Sequence, residues 1–364
     1  MAARTGRGKP GLPKPARIGQ VLPKEQAGAG VDQAEQIARA LAIWPRLAAA
    51  AALSSAVPTA EPLLVRSDDK GARLVLALES GGRQLILKQE EPADAGGKDH
   101  FSQSLAAQES ARLRLVGNTQ GLRVPKLLAF LPEHGIALME RLGGEPAAHL
   151  LEKAESRQDR REVLAACGRW LGEFHRATSG GAQRPYQPRL VVEHLRVQRA
   201  LVEQGQLKVA EPKLYLQLST LVEAAAAEFA GQLSRHARRH GDYSLRNILI
   251  GGSQVGAIDF KPEHSAPVGY DIARLMVDYA ALYGEHGKIP EGQLLQGPDR
   301  TAFFRAYEFA KDDDAAVRFL MRVQLLSDWV RIPATEGRRG LMQILRLQGL
   351  TETAMRLFPG LRQS

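Results

Sequence analysis

"RHGDYSLRNILIGG", residues 239–252, places an aspartate, Asp242, and an asparagine five positions later, Asn247, directly ahead of an apolar run with β character. Polar side chains crowded against a strand bound for the interior are costly unless they have partners or work to do. After "GGSQ" (251–254), whose paired glycines signal a tight turn, comes a second apolar run, "VGAIDF" (255–260). "NILI" and "VGAIDF" therefore read as a β-hairpin whose returning strand ends on Asp259.

Outward from the hairpin the periodicity is helical. "REVLAACGRWLGEFHRAT" (161–178) sets Val163, Trp170, Leu171 and Phe174 on one side, and "LYLQLSTLVEAAAAEFAGQL" (214–233) does the same with Leu214, Leu218, Leu221, Ala225 and Phe229. The pattern changes ahead of "RLGGEP" (141–146), where two glycines and a proline end a β-rich part. There "EPLLVRS" (61–67), "ARLVLALES" (72–80) and "RQLILKQE" (83–90) are separated by the turn signals "DDKG" and "GG" and predict an antiparallel meander. A helix over "FSQSLAAQESARLRLV" (101–116) and a strand pair, "KLLAF" and "GIALME", complete that part, preceded by a helix over residues 31–47 behind an Asp32 cap. The expectation is an α+β fold of two lobes. Residues 31–140 form a small β-rich N-lobe that binds nucleotide, residues 141–364 a larger helical C-lobe with the hairpin embedded in it, and residues 1–30 a disordered basic arm.

Composition narrows the classes. Of 364 residues, 44% are hydrophobic and 24% charged, ordinary values for a globular chain. The most apolar stretch, "LAAAAALSSAV" from Leu47, is too short to span a bilayer, and the first residues lack the apolar core of a secretory signal. Cys167 is the only cysteine, which excludes an intrachain disulfide and a cysteine metal cage; on the apolar face of its helix it reads as a core thiol of a cytoplasmic protein. Six Lys/Arg precede Glu25, so much of the net charge of +9 sits in the arm, and aromatic residues, at 5%, are not interleaved with basic ones as single-strand binders require. Nucleic acid is not the expected partner.

A loop entering a strand can aim Asp242 at a substrate hydroxyl and Asn247 at a metal, while the returning strand brings Asp259 to the same spot. Phosphoryl transfer is arranged this way: one carboxylate accepts the hydroxyl proton, and an asparagine and an aspartate hold Mg²⁺ against nucleotide phosphates. Singly, Asp242 reads equally as a turn or cap residue, Asn247 as the close of an Asx-turn and Asp259 as a strand end. Their occurrence together, in order, favours a shared nucleotide site.

From about Leu63 to about Tyr283 the chain resembles the aminoglycoside phosphotransferase and choline kinase family, relatives of the protein kinases, most strongly in "HGDYSLRNILI" and "VGAIDF". The resemblance implies a bilobal protein-kinase-like fold, ATP and Mg²⁺, with Asp242 as catalytic base and Asn247 and Asp259 as metal ligands. It makes Lys88 of "LILK" the contact to the α and β phosphates and Glu109 of "LAAQESARL" its helical ion-pair partner. It makes "ALMERLGG" the joint where the backbone from Glu140 to Leu142 receives adenine, and Asp271 of "GYDIARLM" a residue that caps a helix and braces the catalytic loop. His240 is expected to support that loop by hydrogen bonds, and Trp170 and His175 to pack in the core.

Two departures from the family pattern stand out. Only Gly71 represents a glycine-rich phosphate loop, leaving the main-chain amides of residues 69–71 for that role. Where relatives acting on cationic acceptors carry acidic residues just past I-D-F, Lys261 stands here, and Arg246 lies inside the catalytic loop. Both suggest a neutral or anionic acceptor, unless Glu263 neutralises Lys261. The leading expectation is an ATP-dependent small-molecule kinase. Beside it stand an inactive nucleotide-binding scaffold, against which the presence of all three site residues speaks, and a kinase-like protein that meets nucleic acid through its arm.

Overall fold

The computed structural model describes residues 33–68, 71–117 and 121–363. The basic arm and the Asp32 cap lie outside the described residues.

Helices α1 (Gln33–Ala42) and α2 (Trp44–Ala50) precede the expected meander, β1 (Thr59–Asp68), β2 (Gly71–Ser80) and β3 (Arg83–Pro92). Helix α3 (Ala95–Leu115) follows, then β4 (Leu122–Arg123), β5 (Leu127–Leu131) and β6 (Ile136–Glu140). The N-lobe sheet runs β1-β2-β3-β6-β5 and is antiparallel throughout. Its strands alternate with period two. Leu74, Leu76, Leu85, Leu87, Ile136 and Leu138 bury one face under Trp44 and Leu47, while Ile86, Ala137 and Met139 on the other face meet Phe101 and Leu105 of α3. Lys88 follows Ile86 in that alternation and so belongs to the second face, toward the cleft.

Asp94 starts α3 six residues before the expected boundary, accepting a hydrogen bond from Gly97 N at 2.8 Å. The far half of α3 leaves the sheet, because Ala107, Ala111 and Leu115 pack into the C-lobe core. One helix is thus shared by both lobes.

The C-lobe begins with β7 (Glu145–Pro146), α4 (Ala147–Lys153), α5 (Arg157–Thr178), β8 (Gln183–Pro185), α6 (Arg189–Glu203), α7 (Pro212–Phe229) and β9 (Leu233–Arg238). The hairpin follows as β10 (Ile248–Gly251) and β11 (Gln254–Ala257), then β12 (Ser265–Pro267), α8 (Gly269–Tyr283), α9 (Gly297–Tyr307), α10 (Ala315–Trp329) and α11 (Leu341–Leu357). A reciprocal Ser156–Asp159 capping box starts α5 four residues before the sequence pattern suggests. Helix α7 stops short of the expected Leu233 since Gly231, at φ +78°, cannot continue it, and the polar run "LSRHAR" then forms β9 between β8 and β12. The hairpin lies between β4 and β7, with Leu249 opposite Gly256. Among the described residues no helix is long and apolar enough to cross a membrane.

Candidate active site

Strand β9 leads to His240, and residues 240–247 reach β10 through a tight turn in which Ser244 N donates to the Asp242 carbonyl at 2.8 Å and Asn247 N to the Ser244 carbonyl at 2.9 Å. Gly241 adopts φ +85°, and a Cβ there would come within 2.6 Å of the Lys261 Cβ, so both backbone freedom and lack of bulk are required.

Helix α8 holds this loop with a polar stripe. Asp271, Arg274 and Asp278 stand at i, i+3 and i+7, on one face of an otherwise apolar helix. Asp271 accepts His240 N at 2.8 Å and Gly241 N at 2.9 Å; Arg274 Nε donates to Asp242 Oδ1 at 3.0 Å; Asp278 accepts Leu245 N at 3.1 Å. Asp271 braces the loop, but the cap expected of it is absent: Val268 occupies the cap position without a side-chain bond, and both Asp271 oxygens are turned to the loop. Behind Asp271, His175 Nε2 lies 3.2 Å from Oδ2 and Nδ1 lies 2.7 Å from Tyr307 Oη, so His175 is a link in a polar chain rather than simple packing. Burial opposes the charge on Asp271, and the hydrogen bond and charge of His175 more than offset it, holding the carboxyl at about 2.

Aromatic packing fixes the other side of the loop. Tyr243 stacks on Trp170 with centroids 5.5 Å apart and donates its hydroxyl to the Cys167 carbonyl at 2.8 Å, while His240 lies 4.2 Å from Phe260. Such pairs add about 0.5–1.5 kcal/mol each beyond burial. His240 Nδ1 accepts Asp242 N at 3.3 Å, which makes it a support of the loop, and burial lowers its pKa toward the neutral ring that this bond needs. Cys167 is buried, its thiol pushed up to about 12 by desolvation, and therefore inert.

Asp242 remains 31% exposed, with Arg274 on Oδ1 and Asn247 Nδ2 at 3.4 Å from Oδ2. Burial disfavours its ionised form, but Arg274 at contact, with Lys261 and Arg331 farther off, prevails and keeps the carboxyl below its ordinary pKa. At neutral pH it is a carboxylate, with Oδ1 held by Arg274 and Oδ2 met only by the long Asn247 contact.

Asn247 and Asp259 converge across the hairpin. Ile258 N donates to the Asn247 carbonyl at 3.0 Å, and Asp259, next in the chain, adopts φ +65°, left-handed backbone that is uncommon outside glycine but that aspartate tolerates better than most residues. Asp259 Oδ1 accepts from Lys88 Nζ, which joins the N-lobe sheet to the C-lobe loop across 171 residues of sequence. Burial raises and the Lys88 charge lowers the Asp259 pKa, with a net fall. Asn247 Nδ2 is spent on the Asp242 carbonyl at 2.9 Å, leaving its amide oxygen as donor. One amide oxygen and one carboxylate, with the Asp242 carboxylate beside them, fit Mg²⁺, which takes one or two carboxylates and completes its octahedron from phosphate and water. Among the described residues no group of three or more His, Cys, Asp and Glu is poised to hold a metal alone, so phosphate and water would have to supply the remaining positions.

Other sequence-derived candidates are placed differently. Glu109 does not reach Lys88; its carboxylate holds Arg112 of the same helix at 2.6 and 2.9 Å, and Asp259 takes the lysine instead. The register of α3 is the reason: Ala107 and Ala111 must face the C-lobe core, which turns Glu109 away. Glu140 pairs through its side chain with Arg123 at 2.7 Å and through its amide with the Lys126 carbonyl, and the Arg141 amide bonds the Gln84 carbonyl. Leu142 covers Gly256 with its side chain, and its amide has no backbone partner among the described residues. Gly71 opens β2 opposite Pro92, and residues 69 and 70 lie outside the described residues. Arg246 is exposed on the loop, Lys261 donates its amide to the His240 carbonyl at 2.9 Å, and Glu263 pairs with Arg238, not with Lys261.

The sequence reading missed Arg274, Asp278, Asp328 and Arg346. Arg274 Nη1 lies 3.0 and 3.2 Å from the Asp328 oxygens, and Arg346 joins Asp328 at 2.7 Å to Asp278 at 2.6 Å. A signal existed in the charged residues at helical spacing inside the apolar "YDIARLMVDYAAL".

A family model for the phosphotransferase enzyme family matches residues 71–320. Solved structures share the fold. One is a choline/ethanolamine kinase family protein from Mesorhizobium loti (TM-score 0.55, 15% identity, covering 91% of this chain and 99% of that one). A second is the amicoumacin kinase hAmiN in complex with AMP-PNP, Ca²⁺ and Ami (0.53, 13%, 89% and 93%). A third is a glucosamine kinase (0.53, 15%, 88% and 86%). No curated protein matches the chain by sequence. The chain belongs to the phosphotransferase enzyme family and is a small-molecule phosphotransferase with the bilobal, protein-kinase-like α+β fold.

Proposed function

We propose that the protein transfers the γ-phosphoryl group of ATP, with Mg²⁺, to a hydroxyl of a neutral or anionic small molecule in the cytoplasm. The observation that carries this is the Lys88–Asp259 pair, which sets an N-lobe cation against the hairpin that also presents Asp242 and Asn247. Nucleotide would lie between residues 31–140 and 141–364, with adenine against the Leu142 amide, which has no backbone partner among the described residues, and the α and β phosphates at Lys88. Asn247 and Asp259 would hold Mg²⁺, which when bound neutralises phosphate charge. Arg274 occupies Oδ1 of Asp242 and fixes the carboxylate, so Oδ2 receives the acceptor proton as the hydroxyl oxygen bonds to the γ-phosphorus and the bridging bond to ADP breaks. Positioning and charge neutralisation supply most of the rate.

Steady-state ADP release across a panel of hydroxyl-bearing metabolites tests this reading. Lys88→Met is expected to lower kcat/KM for ATP by about 10- to 100-fold, the value of a lost charge-assisted hydrogen bond. A wild-type protein that binds Mg·ATP but consumes none with any alcohol would favour the inactive scaffold.

A further inference from the structure

The charges around Asp242 are unequally satisfied. Asp271 is spent on backbone amides, Asp278 on Leu245 N and Arg346, Asp259 on Lys88, and Glu263 on Arg238. Asp328 accepts Gln324 Nε2 at 2.9 Å, Arg346 at 2.7 Å and Arg274 at 3.0 Å. None of these carboxylates is left over for a cationic acceptor.

The cations are not consumed in the same way. Arg274 and Arg346 each bridge two carboxylates at 2.6–3.0 Å. Among the described residues Arg331, in the turn after α10, reaches only Asp328 Oδ1, at 3.5 Å, beyond a good N–H···O bond, and 56% of its side chain is exposed. Its guanidinium thus has most of its five donors free. It lies one carboxylate away from Arg274, the residue that grips the catalytic base, and close enough for its charge to act on Asp242. The Lys261 charge also acts on Asp242, and neither Lys261 nor Arg246 has an ion pair among the described residues.

We propose that the acceptor is an anionic alcohol, bearing a carboxylate or a phosphate, and that Arg331 is the residue that binds its oxyanion and sets specificity. The proposal rests on the phosphotransferase reading above. A planar guanidinium with free donors offers a carboxylate or a phosphate oxygen pair two parallel hydrogen bonds, and a neutral polyol gains less from the same group. Holding the anion at Arg331 would hang the rest of the molecule toward Asp242, where its hydroxyl must sit.

The test uses the full chain with Mg·ADP saturating the nucleotide site and measures binding of four probes by calorimetry: D-gluconate, D-glucose 6-phosphate, D-glucose and D-glucosamine. At least one anionic probe should bind about tenfold or more tighter than glucose, and Arg331→Gln should remove that advantage while Arg331→Lys keeps part of it. The gluconate and glucose 6-phosphate arms separate carboxylate from phosphate recognition. Arg331→Glu should reverse the preference toward glucosamine. Equal binding of all probes, a wild-type preference for glucosamine, or an anion preference that survives Arg331→Gln overturns the proposal. Mg·ADP binding, measured first, keeps the two readings apart: if it is absent the nucleotide reading fails, and if it is present and unchanged in Arg331→Gln only acceptor recognition is under test.

Discussion

Asp242→Asn is expected to lower kcat by about 10²- to 10⁴-fold, the usual contribution of a positioned general base, and to leave Mg·ADP affinity near that of the wild type. The variant keeps the size of the side chain and an oxygen that Arg274 Nε can bond, and Arg274 retains Asp328 at 3.0 Å, so the local fold has no reason to collapse. What disappears is the negative charge that Arg274, Lys261 and Arg331 hold ionised against burial. An amide at this place cannot accept the hydroxyl proton. ADP release under saturating ATP and acceptor, measured with a parallel nucleotide titration, checks both halves of the expectation; unchanged turnover would remove Asp242 as the base.

The second large effect is on stability. Asp271→Asn is expected to cost about 3–5 kcal/mol, the range for breaking a buried charged partnership from one side. The Asp271 oxygens face two backbone N–H groups, of His240 and Gly241, and an amide nitrogen in place of either oxygen sets donor against donor. His175 loses its charged partner as well. The pH dependence has a definite sign. A carboxyl held at about 2 against an ordinary 3.8 stabilises the fold fully above 3.8 and loses that contribution as pH falls toward 2. Urea unfolding at neutral pH should therefore separate wild type from variant, and the gap should narrow across that acid window. A gap that stayed constant through it would mean that Asp271 acts by shape rather than charge.

The hairpin and its three polar residues were legible because their meaning is local: apolar runs, a glycine turn and fixed spacing within one stretch of chain. Lys88 was legible only as the lysine that ends the apolar strand "LILK"; its place beside the nucleotide came from the family resemblance. Glu109 was not, since α3 carries apolar residues toward two different partners, Phe101 and Leu105 toward the sheet and Ala107 and Ala111 toward the C-lobe, and a single helical period cannot say which polar residue meets Lys88. Strand β9 carries no strand signal of its own, because it is built largely from arginine, histidine and serine and is stabilised by its sheet neighbours rather than by an apolar pattern. The Arg274–Asp328 pair spans 54 residues, and charge partners at such a distance are set by helix packing alone. Even so, the Asp271, Arg274 and Asp278 spacing in α8 was present in the sequence; what it lacked was the loop it grips.

We propose that loop 240–247 and Asp259 form one centre for phosphoryl transfer. ATP labelled at the γ-phosphate, incubated with the full chain, Mg²⁺ and a panel of anionic, neutral and cationic alcohols, tests it most directly by following where the label goes. The label should move to an alcohol with one ADP formed per phosphorylated product, and the transfer should stop when Mg²⁺ is chelated. Mg·ATP binding with no label reaching any alcohol would contradict the claim.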